Sequence, residues 1–225
     1  MGVKTRIIPV LLWDQHGSVK GQGFDKSRRI GSIEDRIRLL ERRDIDELII
    51  LDVSGGAPRF ELFKQLIEPL FCPITIGGGI KSIADIRRLL ASGADKVALC
   101  SEASKRPEFI SEAAEKFGAQ AIVVHVHDAD WAAECERRGA GEILLTSVDR
   151  DGTMSGYDLD LIHEVSERVS IPVIACGGCG SYEHMQQALE AGAHAVAAGA
   201  FFQFREATPK GASRYLHERG IAVRL

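Results

Sequence analysis

Long apolar runs are lacking in this chain. The longest near its start, Ile7 to Trp13, falls far short of the roughly 20 residues of a membrane helix and lacks the anatomy of a secretory signal. No membrane role is therefore expected. A basic excess is lacking too: the formal net charge is -4 and Lys and Arg are scattered, so there is no electrostatic footprint for nucleic acid. Cysteines are few, five at irregular spacing, which excludes a disulfide framework and suits a reducing cytoplasm. Linkers and low-complexity tracts are also missing. What remains is 225 residues, 45% of them hydrophobic, enough for one large domain over residues 1–225.

The chain repeats itself. "PITIGGGIKSIADIRRLLASGADKVALCS" (Pro73 to Ser101) aligns without a gap on "PVIACGGCGSYEHMQQALEAGAHAVAAGA" (Pro172 to Ala200). Upstream, "DELIILDVSG" (Asp46 to Gly55) matches "GEILLTSVDR" (Gly141 to Arg150). Each half alternates short β-rich runs with amphipathic helical runs, which implies βα units and a parallel sheet. Helix starts are legible at Ser32, followed by Glu34 and Asp35, and at Ser82, with a stop at Gly93. Strands centred near Ile7, Leu48, Ile74, Val97, Ile122, Ile143, Val173 and Val196 number eight. Eight parallel strands in a chain of this size predict an α/β fold of the TIM (β/α)8 barrel type with a half-barrel repeat. An open doubly wound sheet is the runner-up, but its strand order does not predict the duplication.

Two glycine loops, "GGGIKS" (Gly77 to Ser82) and "GGCGS" (Gly177 to Ser181), follow the third and seventh strands and lead into helices. Glycine lets backbone N–H groups approach an anion, and a helix N-terminus favours negative charge. The fourth and eighth strands end in further small residues. We therefore expect two phosphate grips, Gly78 and Gly79 with Ser101 on one side and Gly178 with Gly199 and Ala200 on the other. Such a pair suits a ligand with a phosphate at each end.

The segments "DELIILD", "GGGI", "GADKV", "RGAGEILLTSVDRDGTMSGYD" and "PVIACGG" resemble the cyclase subunit of imidazole glycerol phosphate synthase, HisF, over almost the whole chain. The resemblance implies a barrel that takes ammonia from a glutaminase docked on its bottom face. At its top face it would convert a bis-phosphate substrate, using two aspartates. It also implies that Asp151 and Gly152 order a phosphate loop. The chain departs from that pattern where the chemistry should be. Leu12 stands where the family's first-strand aspartate belongs, and His127 aligns with the fifth-strand one. Leucine cannot exchange a proton, so one acid–base role is vacant. Asp14, Asp52 and Asp149 are the substitutes to consider. The connection after the fifth strand is short, and a substrate-covering hairpin is missing.

The opposite end keeps the family's charges. Arg6, Glu47, Lys96 and Glu142 each begin a strand and match a salt-bridged ammonia gate, and Asp95 matches the docking face for a HisH-like glutaminase. On physics alone a structural ion-pair plug explains the four charges, since buried charge must be paired. Conduit kept and acids lost resembles the divergent HisF-like paralogues that work with a glutaminase and a sugar amidotransferase on surface-glycan sugars. An authentic cyclase with replaced acids and a non-catalytic phosphosugar-binding barrel are the alternatives. His125 and His127 share an inward face with Cys100 nearby, but we read them as polar lining of a wet cavity and expect no metal and no cofactor. Cys176 and Cys179 read as small residues packed beneath a phosphate loop.

Overall fold

The computed structural model describes residues 4–23 and 28–225. Among these residues ten strands form one sheet: β1 (Arg6–Asp14), β2 (Gly17–Lys20), β3 (Arg28–Gly31), β4 (Leu48–Asp52), β5 (Ile74–Gly77), β6 (Lys96–Leu99), β7 (Ile122–Val126), β8 (Glu142–Thr146), β9 (Val173–Cys176) and β10 (Ala195–Ala198). β4 to β10 pair in chain order and in parallel, and β1 joins both β4 and β10, so the eight strands without β2 and β3 close into a barrel. The open doubly wound sheet is excluded by the ladder that sets Arg6, Ile7, Ile8 and Pro9 against Ala195, Val196, Ala197 and Ala198.

Among the described residues, eight helices of eight to ten residues wrap the barrel, from Ile33–Glu41 to Pro209–His217. Their starts are set by local chemistry. The Ser32 side chain accepts from the Asp35 amide, and Ser82 and Asp85 cap each other's backbone reciprocally. Ser181 repeats the Ser82 cap one half-barrel later, accepting from the His184 amide. Among the described residues, no helix is long and apolar enough to cross a membrane.

Because strand side chains alternate, the apolar residues sort into two cores. Ile7, Leu11, Trp13, Leu48, Ile50, Ile76 and their equivalents pack outward against the helices. Ile8, Val10, Ile49, Ala98, Val123, Leu144, Ile174, Ala195 and Ala197 fill the barrel interior.

The run from Arg6 does not end with β1. It turns at Gln15–His16 and returns as β2, antiparallel to β1 with Leu12 opposite Val19 and Asp14 opposite Gly17. β10 stops pairing at Pro9, and β2 then takes its place beside β1. This hairpin carries Lys20 over the top of the barrel.

Two positions need glycine for separate reasons. Gly178 has φ +94° and a Cβ there would lie 2.1 Å from the Gly156 carbonyl oxygen. Gly220 has φ +80° with nothing within 4 Å of its Cβ position. Replacing Gly220 by Ala is expected to cost only the left-handed backbone term, about 1–2 kcal/mol. Gly178→Ala is expected to cost clearly more, since backbone must move, and comparison of the two variants by urea denaturation checks this.

Candidate functional site

The N-terminal ends of the strands hold a closed ring of charge. Arg6 Nη1 lies 2.7 Å from Glu47 Oε2, and Arg6 Nη2 lies 3.0 Å from Glu142 Oε1. Lys96 Nζ reaches the same two carboxylates, at 3.2 Å for Glu47 and 2.9 Å for Glu142. Each cation therefore touches both anions. Burial works against the Arg6 charge, but Glu47 and Glu142 outweigh it and hold the guanidinium above its ordinary value. Thr75, which sequence reasoning missed, donates its hydroxyl to Glu47 Oε1 at 3.0 Å. It was legible only as the inward partner of Lys96 in the β5–β6 register. Asp95 is exposed at this end, and its Oδ2 accepts the Ile74 amide at 2.8 Å. It thus has a structural duty whatever else it does.

At the C-terminal end the barrel opens into a cavity of about 580 Å³. All eight residues expected at phosphate grips line it: Gly78, Gly79 and Ser101, then Asp151 and Gly152, then Gly178, Gly199 and Ala200. The two loops repeat each other in backbone shape, with φ +110° and +69° at Gly78 and Gly79 against +86° and +94° at Gly177 and Gly178. Lys20, Lys81 and Lys105 also line the cavity, and none was picked out from sequence. Lys20 is buried and pairs with Asp151 at 3.2 Å. The Asp151 carbonyl accepts the Gly23 amide, which ties this loop to the hairpin. The signal that could have found Lys20 is a lone Lys ending a short β-like run before Gly21.

The acid candidates fare differently. Leu12 does line the cavity, so the first-strand position carries an apolar side chain in place. Asp14 does not; it ends β1 at the hairpin turn, where its Oδ1 accepts the His16 amide. Asp149 is exposed and also outside the cavity wall. Neither side chain therefore reaches the cavity wall: Asp14 is bonded to the hairpin's own backbone, and Asp149 stands three residues past the end of β8. Asp52 lines the cavity, but Arg59 holds it at 3.0 Å and Ser54 donates to it through both amide and hydroxyl. Only His127 and Asp128 connect β7 to the next helix, Ala129–Arg137, so nothing overhangs the cavity from there. Asp128 caps that helix by accepting from the Trp131 amide.

His125 lines the cavity, whereas His127 lies exposed at its rim and is not part of its wall. The two rings meet edge to face, with centroids 4.7 Å apart. Thr146 anchors both: its hydroxyl bonds His125 Nε2 at 2.9 Å, and its carbonyl accepts from His127 Nδ1 at 2.8 Å. Desolvation, with the neighbouring His127, pushes the His125 pKa down to about 3, so the ring is neutral near pH 7. Burial pushes the Cys176 thiol up to about 11, helped by Asp151, and Cys179 up to about 12. Neither is a thiolate near neutrality, the form in which a cysteine acts as a nucleophile.

A barrel mouth lined by two glycine loops and three lysines, over a charged barrel base, is then matched by comparison. The family described as "Histidine biosynthesis protein" covers residues 6–208. The chain belongs to this family. Two imidazole glycerol phosphate synthase subunits HisF from Clostridium botulinum, strains Okra (type B1) and Langeland (NCTC 10281, type F), are each 39% identical. Both alignments span 252 positions, covering 99% of this chain and all of the relative. Since the chain has only 225 residues, it carries deletions relative to these HisF subunits.

The ring makes a direct prediction. Glu47→Leu leaves Arg6 and Lys96 sharing one carboxylate in a buried place, and is expected to destabilise the protein by about 3–5 kcal/mol. Removing opposite charges together, with Arg6→Met added to Glu47→Leu, is expected to cost less than the single change. Denaturant melts of the two variants check the order.

Proposed function

We propose that this HisF-like barrel seats a HisH-like glutaminase on its bottom face and admits ammonia through the Arg6, Glu47, Lys96 and Glu142 ring. It then delivers the ammonia to a phosphate-holding top face for amination of an acceptor, a sugar of surface-glycan biosynthesis handled with a sugar amidotransferase. One contrast carries the proposal: the four-charge ring is complete while Leu12 occupies the cavity wall where the resemblance requires an acid. A ring that served stability alone could have become apolar at no loss, because well-packed hydrophobic residues replace buried ion pairs with equal or better stability. Between ring and cavity lie Ile8, Ile49, Val123, Leu144, Ile174 and Ala195. Such a layer passes neutral ammonia and excludes ions, since a charge in an apolar interior is heavily penalised. Two glycine loops and three lysines at the mouth suit an acceptor or ligand bearing phosphate.

Asp95 and the fully exposed Phe71 share the bottom end, a charge and an aromatic anchor for the docked subunit. The second reading, an authentic cyclase of histidine biosynthesis, is favoured by the name of the relatives. It needs an acid in the cavity, and among the described residues the acids on its wall, Asp52, Asp151 and Glu102, are each paired with a cation, Arg59, Lys20 and Arg106.

With saturating ammonium, the protein is expected to turn over the bis-phosphate substrate of imidazole glycerol phosphate synthase at least 10²–10⁴-fold more slowly than a HisF subunit, roughly the loss that follows removal of an acid–base group. Rates equal to those of a HisF subunit establish the cyclase reading instead. In a second test, Asp95→Asn keeps an acceptor for the Ile74 amide while removing the charge. It is expected to weaken docking of a HisH-like glutaminase by about 2–5 kcal/mol in isothermal titration. If the unaltered protein binds no such glutaminase at micromolar concentration, the conduit fails and a phosphosugar-binding barrel remains.

A further inference from the structure

We propose that Cys100, His125 and His127 bind a zinc-class divalent cation in the wall of the cavity, with one coordination position open to it. This goes beyond the conduit proposed above and does not depend on it. The two histidines alone made a weak pair in sequence, because a site needs a third donor. The fold supplies one. Cys100 follows directly on β6, which lies beside β7 in the sheet, and one donor atom from each of the three side chains falls within 4.8 Å of the other two. A tetrahedral zinc places its nitrogen and sulfur ligands roughly 3.3–3.6 Å apart, from bond lengths of about 2.0–2.3 Å. Side-chain rotation of about an ångström closes that gap. His125 and His127 are alternate residues running off one strand, so both leave it on the same face.

The donor chemistry suits the ion. One thiolate and two imidazoles form the mixed set that zinc takes in sites with three protein ligands, the fourth position holding water or a substrate oxygen. Cys100 and His125 line the cavity directly, so an oxygen entering through its mouth meets that position. Supporting contacts are in place as well. A carbonyl oxygen can only accept, so the bond from His127 to Thr146 O puts the proton on Nδ1. The neutral ring then carries its lone pair on Nε2. The Thr146 hydroxyl orients His125 in the same way, and such outer contacts fix ligand geometry. His125 stays neutral through desolvation and the nearby His127, so no proton has to leave it. Burial raises the Cys100 thiol, against a smaller opposing effect of a hydrogen bond with Ser101. The sulfur–metal bond therefore forms as the S–H bond breaks, and one proton passes to buffer for each cation bound. The site would stand where the resemblance places the second aspartate of the cyclase, with a Lewis acid in place of a Brønsted acid.

The test uses the full chain stripped with chelator and titrated with Co(II) under argon. One Co(II) per chain is expected, with intense visible d–d bands and a near-ultraviolet thiolate-to-cobalt band, all lost on adding one equivalent of Zn(II). Cys100→Ser is expected to remove the thiolate band, and His127→Ala the four-coordinate spectrum. The near-isosteric Thr146→Val, which keeps the carbonyl held by His127, is expected to weaken binding by about 10–100-fold while retaining the thiolate band. Should a ligand variant fail to fold, alkylation of the unaltered protein decides: Zn(II) is expected to shield Cys100 and leave Cys72, also partly exposed, unshielded. Absence of the thiolate band, Co(II) binding unchanged by Cys100→Ser, or no shielding of Cys100 overturns the proposal.

Discussion

The backbone ladder between β10 and β1 is the constraint on which the rest of the molecule depends. Once Arg6 to Pro9 lie against Ala195 to Ala198, the sheet has no free edge along its eight barrel strands and possesses an inside. Every inward residue must then be paired, packed or exposed to a cavity. The chain uses all three solutions, in order along the axis. The base is ionic, the middle is aliphatic and small, and the top is hollow.

Those solutions divide the two ends by what each can tolerate. At the base four charges share a confined space, and they are stable only because opposite signs alternate around the ring, so that no charge lacks a counter-ion. At the top, solvent reaches in and single charges are less penalised. Lysines and glycine loops can gather there around an anion that is not part of the protein. The β1–β2 hairpin joins the two regimes. It prolongs the barrel wall beyond the point where β10 ends and brings the Lys20–Asp151 pair over the mouth.

Much of this was legible in the sequence where the signal is local or repeated. Ser32 and Ser82 announce helix starts through bonds made within three residues, and the structure has both. The gapless match of residues 73–101 with 172–200 anticipated the two loops of like backbone shape. The hairpin was not legible, because its turn at Gln15–His16 lacks the Asn-Gly or Asp-Gly pair that marks two-residue turns, and β2 is only four residues long. Asp14 and Asp149 looked like substitute acids because they are near in sequence to strand ends. Asp14, at the very end of β1, and Asp149, three residues past β8, both lie outside the cavity wall.

By itself, the sequence determined the eight strands, their caps, the repeat and which residue types stand at each end of each strand, because these follow from periodicity and short-range hydrogen bonding. Only the tertiary structure decided which of those residues meet. Arg6 and Glu142 are 136 positions apart and in contact, and Thr146 holds two histidines some twenty positions away. Such contacts depend on strand register and on barrel closure, which fix how far one strand slides along the next, and no window of sequence contains that distance.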